Sequence, residues 1–531
     1  MSAASPDSRI ELVADQDAQR AAGAASGKIR PLDDLAAIAA AAREAGEQVV
    51  LAHGVFDLVH LGHVRHLTSA RREGSVLIVT LTADAHVNKG PGRPVFPETQ
   101  RAEMLAALQC VDWVGVNHAA SAVPVIEAIR PHAYVKGPDY ANAEDDITGK
   151  IDAEREAVEA AGGRLVVTDD IVFSSSSLIN RYSDIYEPAL RDYLAAERER
   201  GTAKAISELI ERARDMRVLM IGETIIDDYQ YVVPIGKSPK ENMIATSFRD
   251  REVFAGGVIA AANHVASFCR EVEVLSCIGT TESYADLIQN SLAPNVKVTF
   301  IERTDAPTTR KCRFIDPGYL NKLFEVYFFD DTPIDGVLES SFQAVIRDRM
   351  RHCDLVTVTD FGHGLITGRT VDLLTEEAPF LAVNCQSNSA NMGYNLITKY
   401  PRADFICIDA PEARLATGNK AGPVDQVITE GLVGRIDCPN IIVTHGKNGC
   451  YAYRRGESAE HLPALASSVT DTVGAGDAFF SVAAPLVASG GDLSHVAFTG
   501  NAAGAMKVGI VGHRRCVDKI SLLKFVEALL K

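Results

Sequence analysis

Leu51-Ala-His-Gly-Val-Phe-Asp-Leu-Val-His-Leu-Gly-His63 is an apolar run that turns into a glycine-bearing, histidine-rich loop and then into a helix. Gln48-Val-Val-Leu-Ala52 reads as a buried parallel strand, and Val64 to Arg72 as the helix that follows. This arrangement puts Gly62 and His63 at a helix N-terminus, where unpaired backbone N–H groups favour an anion. Gly62 lets the backbone turn tightly, so that His60 and His63 can both face one bound phosphate. Two such donors stabilise charge on a phosphorus undergoing in-line displacement.

Working outward, strand and helix signals alternate. Pro31 to Gly46 carries Leu32, Leu35, Ile38 and Ala41 near helical spacing and leads into the first strand. Downstream, strands are expected at 75–82, 111–116, 133–136 and 163–168, with helices at 98–108 and 122–129. Alternation at this interval means a parallel sheet covered on both faces, with ligands at the C-terminal ends of the strands. Residues 1–27 are Ala-, Asp- and Ser-rich and are expected to form a loose tail or a short surface helix. The first domain is therefore predicted over 28–183. Residues 184–215, rich in Glu, Arg and Ala and interrupted at Gly201-Thr202, are predicted to be a helical connector. Arg217-Val-Leu-Met-Ile-Gly222 then opens a second domain, 216–531.

The chain has 531 residues, enough for about two or three domains with cores of their own. A net charge of −17 argues against a general nucleic-acid or anionic-membrane binder, while leaving room for a local basic pocket. Ten cysteines are scattered singly without a CxxC pair, as expected of reduced core thiols and not of a zinc or disulfide framework. The N-terminus lacks a secretory pattern and no run of about 18 apolar residues occurs, so a cytoplasmic protein is expected.

The pattern Gly54-x-Phe56-Asp57-x-x-His60-x-Gly62-His63 resembles the nucleotidyltransferase family that includes the cytidylyltransferases and the adenylyltransferase half of the bifunctional ADP-heptose synthesis enzymes. Class I aminoacyl-tRNA synthetases share the HxGH logic, but no KMSKS-like stretch follows and the acidic chain suits tRNA poorly. The resemblance extends over roughly 28–182. It takes in Lys89, Arg93-Pro94 and Gln100-Arg101, where Lys89 is a phosphate candidate and Arg93 and Arg101 are each candidates for phosphate contact or for stabilising the fold. It also takes in Val135-Lys136-Gly137-x-Asp139-Tyr140, by the nucleotide and sugar-phosphate pocket. Ser174, Ser175, Ser176 and Ser177 stand where the family has a Ser-Thr-Thr motif on the triphosphate; four hydroxyls opening a helix can also simply cap it. The implied reaction joins a sugar 1-phosphate to ATP or CTP with release of pyrophosphate, Mg²⁺ bridging the phosphates. His60 and His63 are the expected transition-state contacts. Asp57 is a candidate either for supporting them or for helping to hold the metal.

A second signal is Asp471-Thr472-Val-Gly474-Ala475-Gly476-Asp477 ahead of an apolar helix, Ala478 to Val487. Successive N–H groups in such a turn can face a transferring phosphoryl, and Asp477 sits where a carboxylate can accept a sugar hydroxyl's proton. The run is similar to that of the ribokinase-type (PfkB) sugar kinases. The resemblance implies substrate-side roles for Asp227, the Gly256-Gly257 turn, Asn263 and Lys311, and nucleotide-side roles for Thr444, Gly446 and Asn501. Asp409-Ala-Pro-Glu412 stands for the family's Asn-x-x-Glu and supplies the expected Mg²⁺ oxygens. Departures occur at Ala260, Asn384, Gln386 and His363, where the family usually has other polar or charged groups.

The fold class is thus α/β: a Rossmann-like HxGH nucleotidyltransferase domain followed by a ribokinase-like domain with a small β-sheet lid. The pair resembles the bifunctional heptose enzymes with the domain order reversed. It implies a sugar kinase using ATP and a sugar-phosphate nucleotidyltransferase on one chain. The alternative is a single transferase whose kinase-like domain binds a ligand or dimerises. Expected partners are a nucleotide and a sugar phosphate, with no nucleic acid and no membrane. The strand-like Lys322-Leu-Phe-Glu-Val-Tyr-Phe-Phe adds the expectation of a homodimer or higher homo-oligomer.

Overall fold

The computed structural model describes residues 26–87, 93–137, 150–168, 186–318, 320–466 and 468–531. The chain divides into two compact units, one up to Ile185 together with Lys531, the other Tyr186–Leu530.

The first unit is built on strands β1 (Val49–Gly54), β2 (Val76–Thr82), β3 (Trp113–Asn117), β4 (Ala133–Lys136) and β5 (Arg164–Val167). They pair in parallel in the order β3-β2-β1-β4-β5. Alternate residues of β1 go to opposite faces. Val50 and Ala52 pack with Leu67 and Leu105, whereas Val49 and Leu51 pack with Leu35 and Ile126. A strand with both faces buried can be apolar throughout, which is why Val49–Ala52 carries no polar residue. β1 has β2 on one side and β4 on the other, so the order reverses there and leaves a crevice at its C-terminal end.

The helix after β1 runs Leu61–Arg71, three residues earlier than the apolar pattern from Val64 suggested. The reason is local. His60 is its N-cap, and the rings of His60 and His63 satisfy backbone N–H groups at the helix start, so His63 lies inside the first turn.

The second unit has a main sheet in the order β10-β9-β6-β13-β14-β15-β16-β17-β18 and a separate four-stranded sheet, β12-β11-β7-β8. In chain order these are β6 (Arg217–Gly222), β7 (Thr224–Lys237), β8 (Ile244–Gly257), β9 (Glu271–Gly279), β10 (Val296–Arg303), β11 (Thr309–Asp316), β12 (Asn321–Phe328), β13 (Leu355–Asp360), β14 (Leu381–Cys385), β15 (Phe405–Asp409), β16 (Asn440–Thr444), β17 (Cys450–Arg454) and β18 (Glu460–Leu462). Strands from β10 to β16 are parallel; β17 and β18 add antiparallel edges. The core lies between this sheet and helices such as Ala475–Ala488, which is apolar all round and buried along most of its length.

Two further helices, Pro188–Glu199 and Thr202–Ala213, belong to the second unit and break at Gly201, whose φ of +73° suits glycine. Ile206, Leu209 and Ile210 of the second helix are fully or almost fully buried. The four-stranded sheet begins in the core and ends in solvent. β7 is buried over its first six residues and exposed at its end, and Ile235, Ile244, Phe248 and Phe324 are all exposed. All ten cysteines are free thiols. Among the described residues no helix is long and apolar enough to cross a membrane.

Candidate active sites

In the first unit the crevice at the end of β1 collects most of the described residues expected there. Gly62 N–H donates to His60 Nδ1 at 3.1 Å, and His60 N–H points to His63 Nδ1 at 3.4 Å. The two rings lie 4.0 Å apart, and Phe56 meets His63 edge-on at 5.3 Å. Phe56 is placed by a positive φ of +50°, and a Cβ at Gly54 would stand 3.3 Å from its ring. Both Nδ1 atoms are turned to the helix start.

Asp57 is fully buried and bound on both oxygens, by Arg93 Nη1 at 2.5 Å and by the Val95 N–H at 2.6 Å. The carboxylate thus anchors the segment that returns to the crevice, and Arg93 is its ion-pair partner with almost no exposure. Arg101 is likewise buried, donating to the carbonyls of Val55, Phe96 and Thr82 and to Asp84. It holds the loop after β1 to the loop after β2. Lys136, at the end of β4, pairs with Glu154 at 2.8 Å, and the Tyr134 hydroxyl donates to the same Glu154 oxygen. The apolar-to-polar switch at Lys136 was visible in the sequence; its partner, on a helix 18 positions downstream, was not. Lys89, Asp139, Tyr140 and Ser174 to Ser177 lie outside the described residues.

In the second unit the turn Thr472–Gly476 delivers Asp477 into the first turn of the helix Ala475–Ala488. Gly474 has φ +75°, and a Cβ there would stand 2.9 Å from the His513 ring. Nothing lies within 4 Å of a Cβ built on Gly476, so the helix start is open on that side. Asp477 is mostly buried, and burial pushes its pKa up, opposed by His513 and by Gln386. Gln386 Nε2 donates to Asp477 Oδ1 at 2.6 Å, and Asn384 in turn donates to the Cys407 carbonyl. Gln386 Nε2 also lies 3.1 Å from Asn384 Oδ1, so Gln386 touches the carboxylate directly and Asn384 touches Gln386.

Asp227, near the start of β7, is paired with Arg313 on one oxygen and with His513 Nε2 at 3.1 Å on the other. Burial works against its charge, but Arg313 and His513 together hold the carboxyl well below the usual range. A Cβ at Gly256 would stand 2.0 Å from Asp227 Oδ2, so only glycine fits against this carboxylate. Gly257 turns the chain with φ +58°. Lys311 pairs in register with Asp227 across β11 and β7, and burial lowers its pKa. A cavity of about 120 Å³ opens beside His513, lined among others by Phe254, Ala260, Asn263 and Cys516. The amide of Asn263 is bonded at both ends to backbone, to the Ser291 carbonyl and the Ala293 N–H, so it shapes the wall through its position. His363 is buried against Phe329, and burial followed by the Lys311 charge pushes it down to about 3.

Asp409 and Glu412 form a reciprocal cap at the start of the helix Ala410–Thr417, and Glu412 also accepts from the Ser387 N–H. Burial and the neighbouring Asp409 push Glu412 up to about 8. Glu412 is buried and Asp409 exposed, so the pair meets solvent at the helix start. Among the described residues no cluster of three or more His, Cys, Asp or Glu forms a metal cage. The pair therefore fits Mg²⁺, which keeps waters and phosphate oxygens as ligands, better than a metal enclosed by protein. Thr444 ends β16, Gly446 takes φ +53° in the next turn, and Asn501 donates to the Pro463 carbonyl. Arg313, His513 and Lys507 were missed in the sequence, because each acquires its meaning only from partners distant along the chain.

Residues 215–520, more than half of the chain, match the pfkB family of carbohydrate kinases, and residues 51–181 match the cytidylyltransferase-like family. The two matches follow one another in the order expected. Among curated proteins, the bifunctional protein HldE of Syntrophotalea carbinolica is 39% identical over 163 residues, 30% of this chain and 32% of that protein. HldE of Geobacter sulfurreducens is 41% identical over 145 residues, 27% of this chain and 28% of that protein. The chain thus spans about a third of the length of the curated relatives it matches. Among solved structures, ribokinase of Thermotoga maritima aligns with 18% identity and a TM-score of 0.45, covering 59% of this chain and 99% of that one.

Proposed function

The chain belongs to the pfkB family of carbohydrate kinases, and from that premise we propose that it is a bifunctional sugar-activating enzyme. The second unit would phosphorylate a sugar or sugar phosphate with ATP, a heptose 7-phosphate being the first candidate. The first unit would then join a sugar 1-phosphate to ATP or CTP, giving a nucleotide sugar and pyrophosphate.

The observation that carries the kinase half is the setting of Asp477. It lies at the open start of a buried helix, hydrogen-bonded by Gln386 and near enough to Asp227 for the two charges to interact. In the proposed step Asp477 accepts the proton of a sugar hydroxyl as that oxygen attacks the γ-phosphorus, and ADP leaves. The Gly474–Gly476 turn receives the transferring phosphoryl on backbone N–H groups. Asp227, with Arg313 and His513, would orient the sugar. Asp409 and Glu412 would hold Mg²⁺, which neutralises charge on the phosphates.

For the transferase half, His60 and His63 would stabilise charge at the α-phosphorus, while Asp57 and Arg93 brace the loop. Lys136 and the backbone around Gly54, Phe56 and Gly62 would line the nucleotide side. No base is required, because a phosphate dianion is already nucleophilic. Homo-oligomerisation is proposed on the exposed apolar side chains of the four-stranded sheet, with that sheet also closing over the sugar.

The test is product formation. With Mg²⁺, release of ADP from ATP across a panel of sugars and sugar phosphates, and release of pyrophosphate from ATP or CTP across sugar 1-phosphates, are both expected. Pyrophosphate without ADP over a broad panel would leave the single-transferase reading, which the full pairing of Asp227 by Arg313 and His513 favours.

A further inference from the structure

Lys507 ends the helix Leu493–Lys507, and its side chain is completely buried. Its ammonium donates to the Val473 carbonyl at 2.7 Å and to the Gly512 carbonyl at 2.7 Å. Val473 immediately precedes Gly474 in the phosphate turn, and Gly512 immediately precedes His513. The same two loops are joined a second time by Asp471, which accepts from the Val473 N–H at 3.2 Å and from the Gly512 N–H at 2.8 Å. A Cβ at Gly474 would come within 3.4 Å of Lys507 Cε, so the lysine lies directly under the turn.

A buried ammonium is costly to desolvate, and burial indeed lowers its pKa. Structural closure of two loops needs no charge. What the charge adds follows from peptide geometry: in a trans peptide the N–H points opposite to the C=O. With the Val473 carbonyl drawn to Lys507, the Gly474 N–H is turned away from the lysine. The ammonium also offsets three nearby carboxylates, Asp471, Asp477 and Asp227, that would otherwise repel an incoming phosphoryl.

We infer that Lys507 is a positioning residue of phosphoryl transfer, its ammonium serving as a fixed internal monovalent cation that orients the Val473–Gly474 peptide and balances the acidic pocket. This rests on the kinase reading given above. Because the oriented N–H acts on charge that develops during transfer, Lys507 works on kcat and little on the KM for ATP.

The experiment compares the full-length protein with Lys507→Ala and Lys507→Met, in ammonium chloride and in tetramethylammonium chloride at equal ionic strength, by ADP formation and by thermal melting. The wild type is expected to respond equally to both salts. Lys507→Ala should lose about 10²-fold in kcat in tetramethylammonium and regain most of it in ammonium, which fits the vacated space. Its melting temperature should rise in ammonium only. Lys507→Met fills the space without charge and should stay folded, inactive and unrescued. A Lys507→Met variant with wild-type kcat, or a Lys507→Ala variant indifferent to the choice of cation in both readouts, would overturn the inference. If Lys507→Ala does not fold in either salt, Lys507→Met decides. A wild type that forms no ADP would instead count against the kinase reading, and the ammonium-specific melting shift would still report on Lys507.

Discussion

Gln386 Nε2 stands 2.6 Å from Asp477 Oδ1, a hydrogen bond that reaches from the loop after β14 to the first turn of the helix Ala475–Ala488. An amide donor on a carboxylate stabilises the ionised form, against the burial that raises the Asp477 pKa. At the residue expected to accept a proton, this hydrogen bond opposes the effect of burial.

Asp477→Asn preserves shape and removes the base. It should lower ADP formation by about 10²- to 10⁴-fold and leave the melting temperature close to that of the wild type. Steady-state kinetics beside a melting curve check both parts; a variant that keeps more than a tenth of the activity would exclude Asp477 as the base.

Gln386→Glu replaces the donor by a second carboxylate. Like charges in contact raise the pKa of the pair, so Asp477 would ionise only at higher pH, and the acid limb of kcat should move to higher pH. A pH–rate profile reads this directly. An unmoved limb would mean that Asp477 titration does not govern the rate.

His60→Ala and His63→Ala should each cost about 10²- to 10³-fold in pyrophosphate release while ADP formation persists. Because the rings also cap the helix Leu61–Arg71, a loss of roughly 1 kcal/mol of stability should accompany the change. His63→Gln separates the roles, since it can cap without supplying an imidazole.

These two motifs were legible because their chemistry is local. HxGH and GAGD each place a functional side chain within a few positions of the glycines that shape its loop, so spacing alone carries the geometry. The continuous apolar run of β1 likewise marked the sheet, since both of its faces are buried. The surroundings of Asp227 were not legible: Arg313 lies 86 positions away and His513 286 positions away. Gln386 looked like a loss of charge because its partner, 91 positions on, exists only in the fold. Lys507 sat in an unremarkable helix end, and nothing in its neighbours along the chain indicated two backbone acceptors.

His264 is buried, accepts from the Val517 N–H through Nδ1, and is pushed down to about 3 by burial, with His513 and Lys507 adding to the effect. Its folded pKa lies below its unfolded one, so as pH falls below about 6.5 the unfolded chain binds a proton that the folded chain refuses, and stability is lost. Between pH 6.5 and pH 5 this residue should cost about 2 kcal/mol. Denaturant titrations at the two pH values check it, with His264→Gln showing a shallower dependence. The Asp227 contribution falls in a separate window, since a depressed carboxylate loses its stabilising effect only below about pH 4.

If two independent transfer sites share one chain, ³¹P NMR of a single reaction series separates them. Wild type, Asp477→Asn and the His60→Ala/His63→Ala double variant are incubated with Mg²⁺, ATP or CTP, and either heptose 7-phosphate or a sugar 1-phosphate. The wild type should form ADP with a new sugar phosphate and pyrophosphate with a new nucleotide sugar. Asp477→Asn should lose only the first pair of signals and the double variant only the second. Loss of both pairs in either variant, or a wild type that yields pyrophosphate and never ADP, would contradict two independent sites.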